Sequence, residues 1–400
     1  MRNYLLNILA VGGLLVSTHA AQAQLDNRAF TSTTPGKKNE FAFRQQTSPS
    51  KKEGAAGDLL LSLRSFTFFK DNEYFNRIIE GYTLFGTQLN PQLVYYPTDN
   101  LRLEGGVFLW KDFGNARLQQ VRPTFRATYT KGNSEFIFGN IRPHLSHRYI
   151  EPLFNFERII LKPLEEGLQY RYTSSRVGLD VWVDWQRQQY RYSDYQEEIA
   201  GGLSGSVRLT GDDSPVMVSL PVQFTATHRG GQIDTIDLPL QTLFNGATGL
   251  EARYQLPTHP TTAFRVQAYG TGFYDKSFEY QLPYRRGNGL YLNATAETRY
   301  LNVMLSYWQG QRFLAPLGGD LYQSASRSVG NSSYTEPHRR LLTLRLLRDF
   351  SLGEAAALTV RLEPVHDFQE KKTDFAAGIY LNFRQEWLLS NISRRVRVGD

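Results

Sequence analysis

The sequence predicts an all-β fold: a transmembrane antiparallel up-and-down β-barrel of about 16 strands, with short periplasmic turns and long extracellular loops. Three observations predict it. Apolar and polar residues alternate with a period of two from Gly57 to Trp387. The connections alternate between short and long. One face of the strands carries more charge than a dry core holds.

The first element is an export signal. Met1 to Asn7 carries Arg2, Leu5 to Val16 is an apolar run, and Ala21-Gln22-Ala23 is a small-x-small cleavage site. Cleavage near Ala23 leaves Gln24 as the mature start. The run falls short of the ~20 residues a membrane helix needs, so a permanent anchor is the weaker reading. Losing Arg2 lowers the formal charge from +7 to about +6. Residues 24–56 hold Thr31-Ser32-Thr33-Thr34-Pro35-Gly36 and Ser48-Pro49-Ser50-Lys51-Lys52-Glu53-Gly54, with no sustained period. They read as a flexible periplasmic leader. Residues 57–390 read as the barrel and 391–400 as a C-terminal tail.

Alternation carries the barrel. Leu101, Leu103, Val107 and Leu109 oppose Arg102 and Glu104. Val121, Phe125, Ala127 and Tyr129 oppose Arg122, Thr124 and Arg126. Val177, Leu179, Val181 and Val183 oppose Asp180, Trp182 and Asp184. Phe375, Ile379, Leu381 and Phe383 oppose Tyr380, Asn382 and Arg384. Many runs reach the ~9–11 residues of a membrane-spanning strand. Leu59, Leu61 and Leu63 change phase to Phe66 and Phe68, which predicts a bulge or a strand emerging from the membrane, and 75–97 is poorly phased. Turn residues make short links at 97–100, 131–134, 173–176, 211–214, 258–261 and 351–354. Longer insertions fall at 142–165, 187–199, 228–246, 274–288 and 309–337.

The polar face carries Arg102, Arg122, Arg126, Arg171, Arg208, Arg253, Arg265, Arg345, Arg361 and Arg384. It also carries Glu104, Asp180, Asp184, Glu251, Glu297 and Glu363. These sixteen residues are the expected pore lining of a water-filled lumen. The excess of arginine tilts such a pore toward anions, unless cross-strand pairing cancels the field. Tyr95, Tyr96, Trp110, Tyr129, Trp185, Tyr254, Tyr307, Trp308 and Trp387 lie near strand ends, as interfacial girdles do. Trp182, Tyr269, Tyr291 and Tyr380 point inward, where sugar rings stack on aromatics.

Composition agrees. Aromatics make up 13% and there is no cysteine, which excludes a disulfide scaffold and a thiolate site. The mean hydropathy of −0.42 excludes a multi-helix membrane protein and permits a barrel.

Signal peptide, alternating strands and alternating loop lengths together resemble the porin-like outer-membrane β-barrels of Gram-negative bacteria. The resemblance covers Gly57 to Trp387. The segment His144-Leu145-Ser146-His147-Arg148-Tyr149-Ile150-Glu151-Pro152-Leu153 is similar to porin-like proteins as well. Many such barrels end on a terminal aromatic; here the assembly signal would lie inside, near Tyr380 to Trp387. The resemblance implies a passive channel for small hydrophilic solutes, anionic or saccharide, embedded in outer-membrane lipid. It also implies a homo-oligomer such as a trimer, and one long loop folded inward. The candidate constriction loop is 142–165, with His144, Arg148, Glu151, Glu157, Arg158, Lys162, Glu165 and Glu166. Opposed charges there would set a transverse field; the same charges would equally solvate an external cap. Asn155 to Glu166 has the spacing of a short helix.

The alternative is a barrel for surface polysaccharide binding, assembly or export without conduction, with 310–337 as cap or partner loop. An enzyme is not expected: His144 and His147 form H-x-x-H without the zinc-site HExxH pattern. No cofactor, metal or nucleic-acid partner is expected, since basic residues are spread along the strands.

Overall fold

The computed structural model describes residues 54–256, 262–298 and 300–392. The expected signal peptide, most of the leader and most of the C-terminal tail lie outside these residues.

Sixteen strands follow in order: β1 (Asp58–Phe75), β2 (Glu80–Thr98), β3 (Leu101–Asp112), β4 (Gln120–Lys131), β5 (Ser134–Asn140), β6 (Glu166–Thr173), β7 (Val177–Arg187), β8 (Glu198–Arg208), β9 (Val216–Arg229), β10 (Gln241–Gln255), β11 (Ala263–Asp275), β12 (Arg286–Glu297), β13 (Asn302–Gln311), β14 (His338–Ser351), β15 (Ala356–Asp367) and β16 (Lys372–Asn391). Each pairs antiparallel with its sequence neighbours, and β1 pairs with β16 to close the barrel. Closure leaves no free sheet edge at the seam, which is how a sheet survives in lipid.

The burial pattern inverts that of a water-soluble sheet. On β11, Phe264 and Val266 are 50% and 57% exposed while Arg265 between them is 4% exposed. Apolar side chains face outward, where lipid solvates them, and charged ones face the lumen. Among the girdle residues, Tyr129, Trp185, Tyr254 and Trp387 are exposed on the outside, whereas Tyr96 and Trp308 are buried inside.

The described links after even-numbered strands are short, matching the turn residues at 97–100, 131–134, 173–176, 211–214 and 351–354; the turn expected at 258–261 lies outside the described residues. The outer connections include 141–165 and 312–337, but β1–β2 and β15–β16 are joined by only four residues each, 76–79 and 368–371. The poorly phased region 75–97 holds the link 76–79 and then the one unbroken strand β2.

The bulge predicted between Leu63 and Phe66 is absent. β1 stays continuous there, and its register shift against β16 lies between Leu59 and Leu60. Leu61 faces lipid, while Phe66 and Phe68 face the lumen and pack with Phe156 and Tyr380. Even-numbered positions face the lumen along β1, and apolar residues occupy that face at Phe66 and Phe68 because an inserted segment gives the lumen an apolar surface at that height.

Candidate functional site

The wall is lowest at β5 and β6, with seven and eight residues. At the top of β5, Gly139 has φ +94°, and an added Cβ would collide with the Phe125 carbonyl. The chain leaves the sheet here and turns into the lumen. A single 3-10 turn, His144–His147, follows; His144 and Arg148 hold positive φ of 51° and 62°. Such backbone costs on the order of 1–3 kcal/mol in a side-chain-bearing residue and persists only where surroundings fix it.

The surroundings do fix it. Segment 141–165 crosses the lumen to the far wall. Ile150 N–H donates to Gln223 Oε1 at 2.9 Å, and Gln223 Nε2 donates to the Arg148 carbonyl at 3.1 Å. Tyr149 Oη donates to the Phe224 carbonyl at 2.9 Å and passes so close to β8 that only glycine fits at Gly202. Glu151 meets Arg345 of β14 and accepts from Tyr322 Oη at 2.9 Å. Glu157 accepts from Asn72 Nδ2 of β1 at 2.8 Å and from Tyr82 of β2. The expected helix is a single turn, α1 (Arg158–Leu161). Segment 312–337 folds inward beside it: Asn155 N–H donates to the Leu317 carbonyl at 2.6 Å, and Asn245 Nδ2 to that of Leu314 at 2.7 Å. Tyr149, Leu153, Phe154, Phe313 and Leu317 join Trp182, Tyr269, Tyr291 and Trp308 of the wall in one buried cluster. The inward aromatics are therefore covered by protein, with Tyr380 stacked on Phe66.

The expected pore-lining residues gather into ion-pair clusters. Near the periplasmic end, Glu104 meets Arg64, Arg102 and Arg126, while Glu386 meets Arg102 and Arg384. Mid-wall, Glu363 meets Arg345 at 2.6 Å, Arg361 at 2.5 Å and Lys70 at 3.4 Å. Glu297 holds Arg253 and Arg265, and Glu251 accepts from Gln267 at 2.7 Å. Arg171 lies between Glu135 and Asp180. Arg208 is apart, paired with Asp212 in its turn. Sequence reasoning missed Arg64, Lys70, Glu135 and Glu386. Their face parity was the available signal, but they lie near turns or amid aromatic runs.

The densest chemistry sits at the top of the β5–β6 hairpin. Ile141 N–H donates to the Glu165 carbonyl, tying the entry and exit of the inserted segment. His147 is fully buried, with Nε2 2.7 Å from Glu165 Oε2 and Nδ1 3.4 Å from Asp180 Oδ2. Its ring stacks on Trp182 at 4.5 Å, and its carbonyl accepts from Ser204 Oγ. Burial alone would lower the pKa of His147; the facing carboxylates of Glu165 and Asp180 overcome this and push it up to about 9. Burial likewise raises the Glu165 carboxyl, but His144 and His147 hold it well below the usual range. With a carboxylate at each nitrogen, His147 is a charged clasp and a poor base.

His144 is different. Its Nδ1 lies 2.9 Å from Glu165 Oε1 without hydrogen-bond geometry, and both ring nitrogens are buried with no hydrogen-bond partner among the described residues. A carboxylate beside one nitrogen and a second nitrogen without a partner are the groups a general base needs once water reaches them. Arg158 stands 3.9 Å from the same Glu165 oxygen, its guanidinium over the Phe154 ring. Glu166 belongs to β6 and not to the loop; it pairs with Arg122 at 2.7 Å. Asp184 accepts from Glu166 N–H at 2.8 Å, and Lys162 is exposed. On the outer wall below, a cavity of about 410 Å³ is lined by Phe136, Phe138, Leu168, Val181 and Val183 and reaches Gln169 and Trp182, the residues that hold His147.

The family model described as "Lipid A 3'-O-deacylase-type" matches residues 48–392. No curated protein matches the sequence. Similar solved structures include a loop L8 deletion mutant of OmpT, an outer membrane protein of Vibrio cholerae. It is 12% identical at a TM-score of 0.50, covering 83% of this chain and 100% of that one. The outer membrane protein OprD of Pseudomonas aeruginosa is 10% identical at 0.49, covering 85% and 97%. OccK5 of the same organism is 12% identical at 0.48, covering 84% and 99%. The OmpT likeness shows the fold alone, a closed barrel of the Gram-negative outer-membrane type. The family match overturns one expectation from the sequence, that the chain is not an enzyme. The family is described by an acyl-ester hydrolase activity. The missing HExxH pattern speaks only against one kind of zinc hydrolase.

Proposed function

Because the chain belongs to the lipid A 3'-O-deacylase-type family, we propose that it is an outer-membrane hydrolase that removes an ester-linked acyl chain from a lipid-A-type glycolipid. One observation carries this reading within the molecule. His144, with Glu165 beside Nδ1 and a buried Nε2 that has no hydrogen-bond partner among the described residues, sits at the top of the hairpin whose outer face bears an apolar cavity of about 410 Å³. His144 Nε2 takes a proton from water, whose oxygen attacks the acyl carbonyl carbon. The acyl C–O bond breaks, the proton passes to the departing sugar-side oxygen, and the fatty acid gives its remaining proton to solvent and leaves as its carboxylate. Arg158 supplies positive charge beside the site. His147 positions Glu165 and does not touch substrate. The expected export signal at 1–23 and leader at 24–56 fit this location.

The test is release of fatty acid from vesicles that contain a lipid-A-type glycolipid. Wild-type protein releases it and His144→Gln does not, with both folded by heat-modifiable gel migration.

The charged lumen favours a second reading: slow passage of small hydrophilic solutes, anionic or saccharide, past the inserted segments. Arg102, Arg126, Arg345 and Arg361 face the lumen on its behalf, but each is paired with a carboxylate. This reading therefore expects small conductance steps with a weak anion preference.

A further inference from the structure

We infer that the barrel wall is open sideways above β5 and β6, and that this opening brings the headgroup of an outer-leaflet lipid toward His144. The substrate in this inference rests on the hydrolase reading; the opening itself rests on strand pairing alone.

β5 and β6 have seven and eight residues, fewer than the ~9–11 that span the hydrocarbon. Their neighbours rise higher. β4 pairs with β5 only from Arg126 to Lys131, so its segment 120–125 has no strand on that side. β7 pairs with β6 only up to Asp184, and 185–187 stand clear. On their other sides both continue pairing, β4 with β3 up to Gln120 and β7 with β8 up to Arg187. The result is a notch in the extracellular half of the wall.

A bare strand edge in hydrocarbon costs several kcal/mol per unmet backbone group. This edge is adapted to polar company instead. Pro123 removes one donor, and Asn140 Oδ1 accepts from Phe125 N–H at 2.7 Å. Arg122 and Glu166 form a half-exposed ion pair at the rim, a group that lipid tails do not solvate. Directly below lies the apolar cavity over Phe136, Phe138 and Leu168. Polar rim above and apolar cavity below match a lipid whose chains point toward the bilayer centre. The occupant that fits is an acyl-bearing, polar-headed lipid of the outer leaflet.

The chain has no cysteine, so one introduced thiol reports one place. A bimane is attached at Arg122→Cys, at Val121→Cys on the outer face, and at Thr227→Cys on the lumen side of the fully paired β9. The full-length protein is placed in vesicles containing doxyl-labelled phospholipid. Quenching at 122 equal to that at 121, with none at 227, supports the opening. Protection at 122 equal to that at 227 overturns it. Separately, a bulky maleimide on Arg122→Cys stops acyl release from vesicle-embedded glycolipid and leaves hydrolysis of a soluble short-chain ester intact. Undiminished release from vesicles overturns the opening as the route. Wild-type protein that hydrolyses neither ester sinks the hydrolase reading and the route with it, while quenching still decides whether the wall is open.

Discussion

Glu151, on the segment between β5 and β6, meets Arg345 of β14 across the lumen. Tyr322 of the other inserted segment donates to the same carboxylate at 2.9 Å, and Arg361 stands at 4.0 Å. One acid thus ties both inserted segments to the far wall. Removing it leaves Arg345 and Arg361 with Glu363 as their shared counter-charge. Uncompensated buried charge costs about 3–5 kcal/mol. Glu151→Ala should therefore free segment 141–165: limited proteolysis should cut within it while the barrel stays intact, and bilayer conductance should rise. Unchanged proteolysis and conductance would show that the apolar contacts hold the segment alone.

His147 gives the inserted segment a pH dependence. The groups facing it are Glu165 and His144 of its own segment, Asp180 of β7, and Arg171 of β6 beside Asp180. Its folded pKa is raised from 6.5 to about 9. The stabilisation is therefore complete below about pH 6.5 and fades as pH rises through about 9. Its full size is at most about 3 kcal/mol at 1.36 kcal/mol per unit. Protease protection of 141–165 should fall between pH 7 and 10 in wild type and stay flat in His147→Gln. A parallel fall in both would assign the pH dependence elsewhere.

Lipid exposure of the outer face predicts an asymmetry along β11. Val266 faces outward and Arg265 inward. Val266→Arg places a charge in hydrocarbon and should cost about 2–4 kcal/mol near the midplane. Urea unfolding from vesicles measures this. A cost near zero would mean that this face does not meet lipid.

The barrel was legible because alternation is local: each strand announces its face within ten residues, and turn chemistry marks its ends. The inserted segment was legible only as a charged stretch. Its partners Gln223, Arg345 and Asn72 lie far away in sequence, and no local period encodes such contacts. The same reason hid the pairing of the lumen arginines. Counting them against six acids suggested a net field, yet Glu135 and Glu386 stand among them. His144 and His147 were visible as a pair, but their different roles follow from one carboxylate at His144 against two at His147. The short β5–β6 wall could be read from the spacing of Lys131-Gly132-Asn133-Ser134 to Pro143.

The most direct test of the account is the mass of a lipid-A-type glycolipid after incubation in vesicles with the full-length protein. The expected product is lighter by one acyl chain, with free fatty acid in equal amount. His144→Gln should slow its formation by about 10²–10⁴-fold, the usual worth of a general base. A glycolipid of unchanged mass with wild-type protein, or the same product at the same rate with His144→Gln, would contradict it.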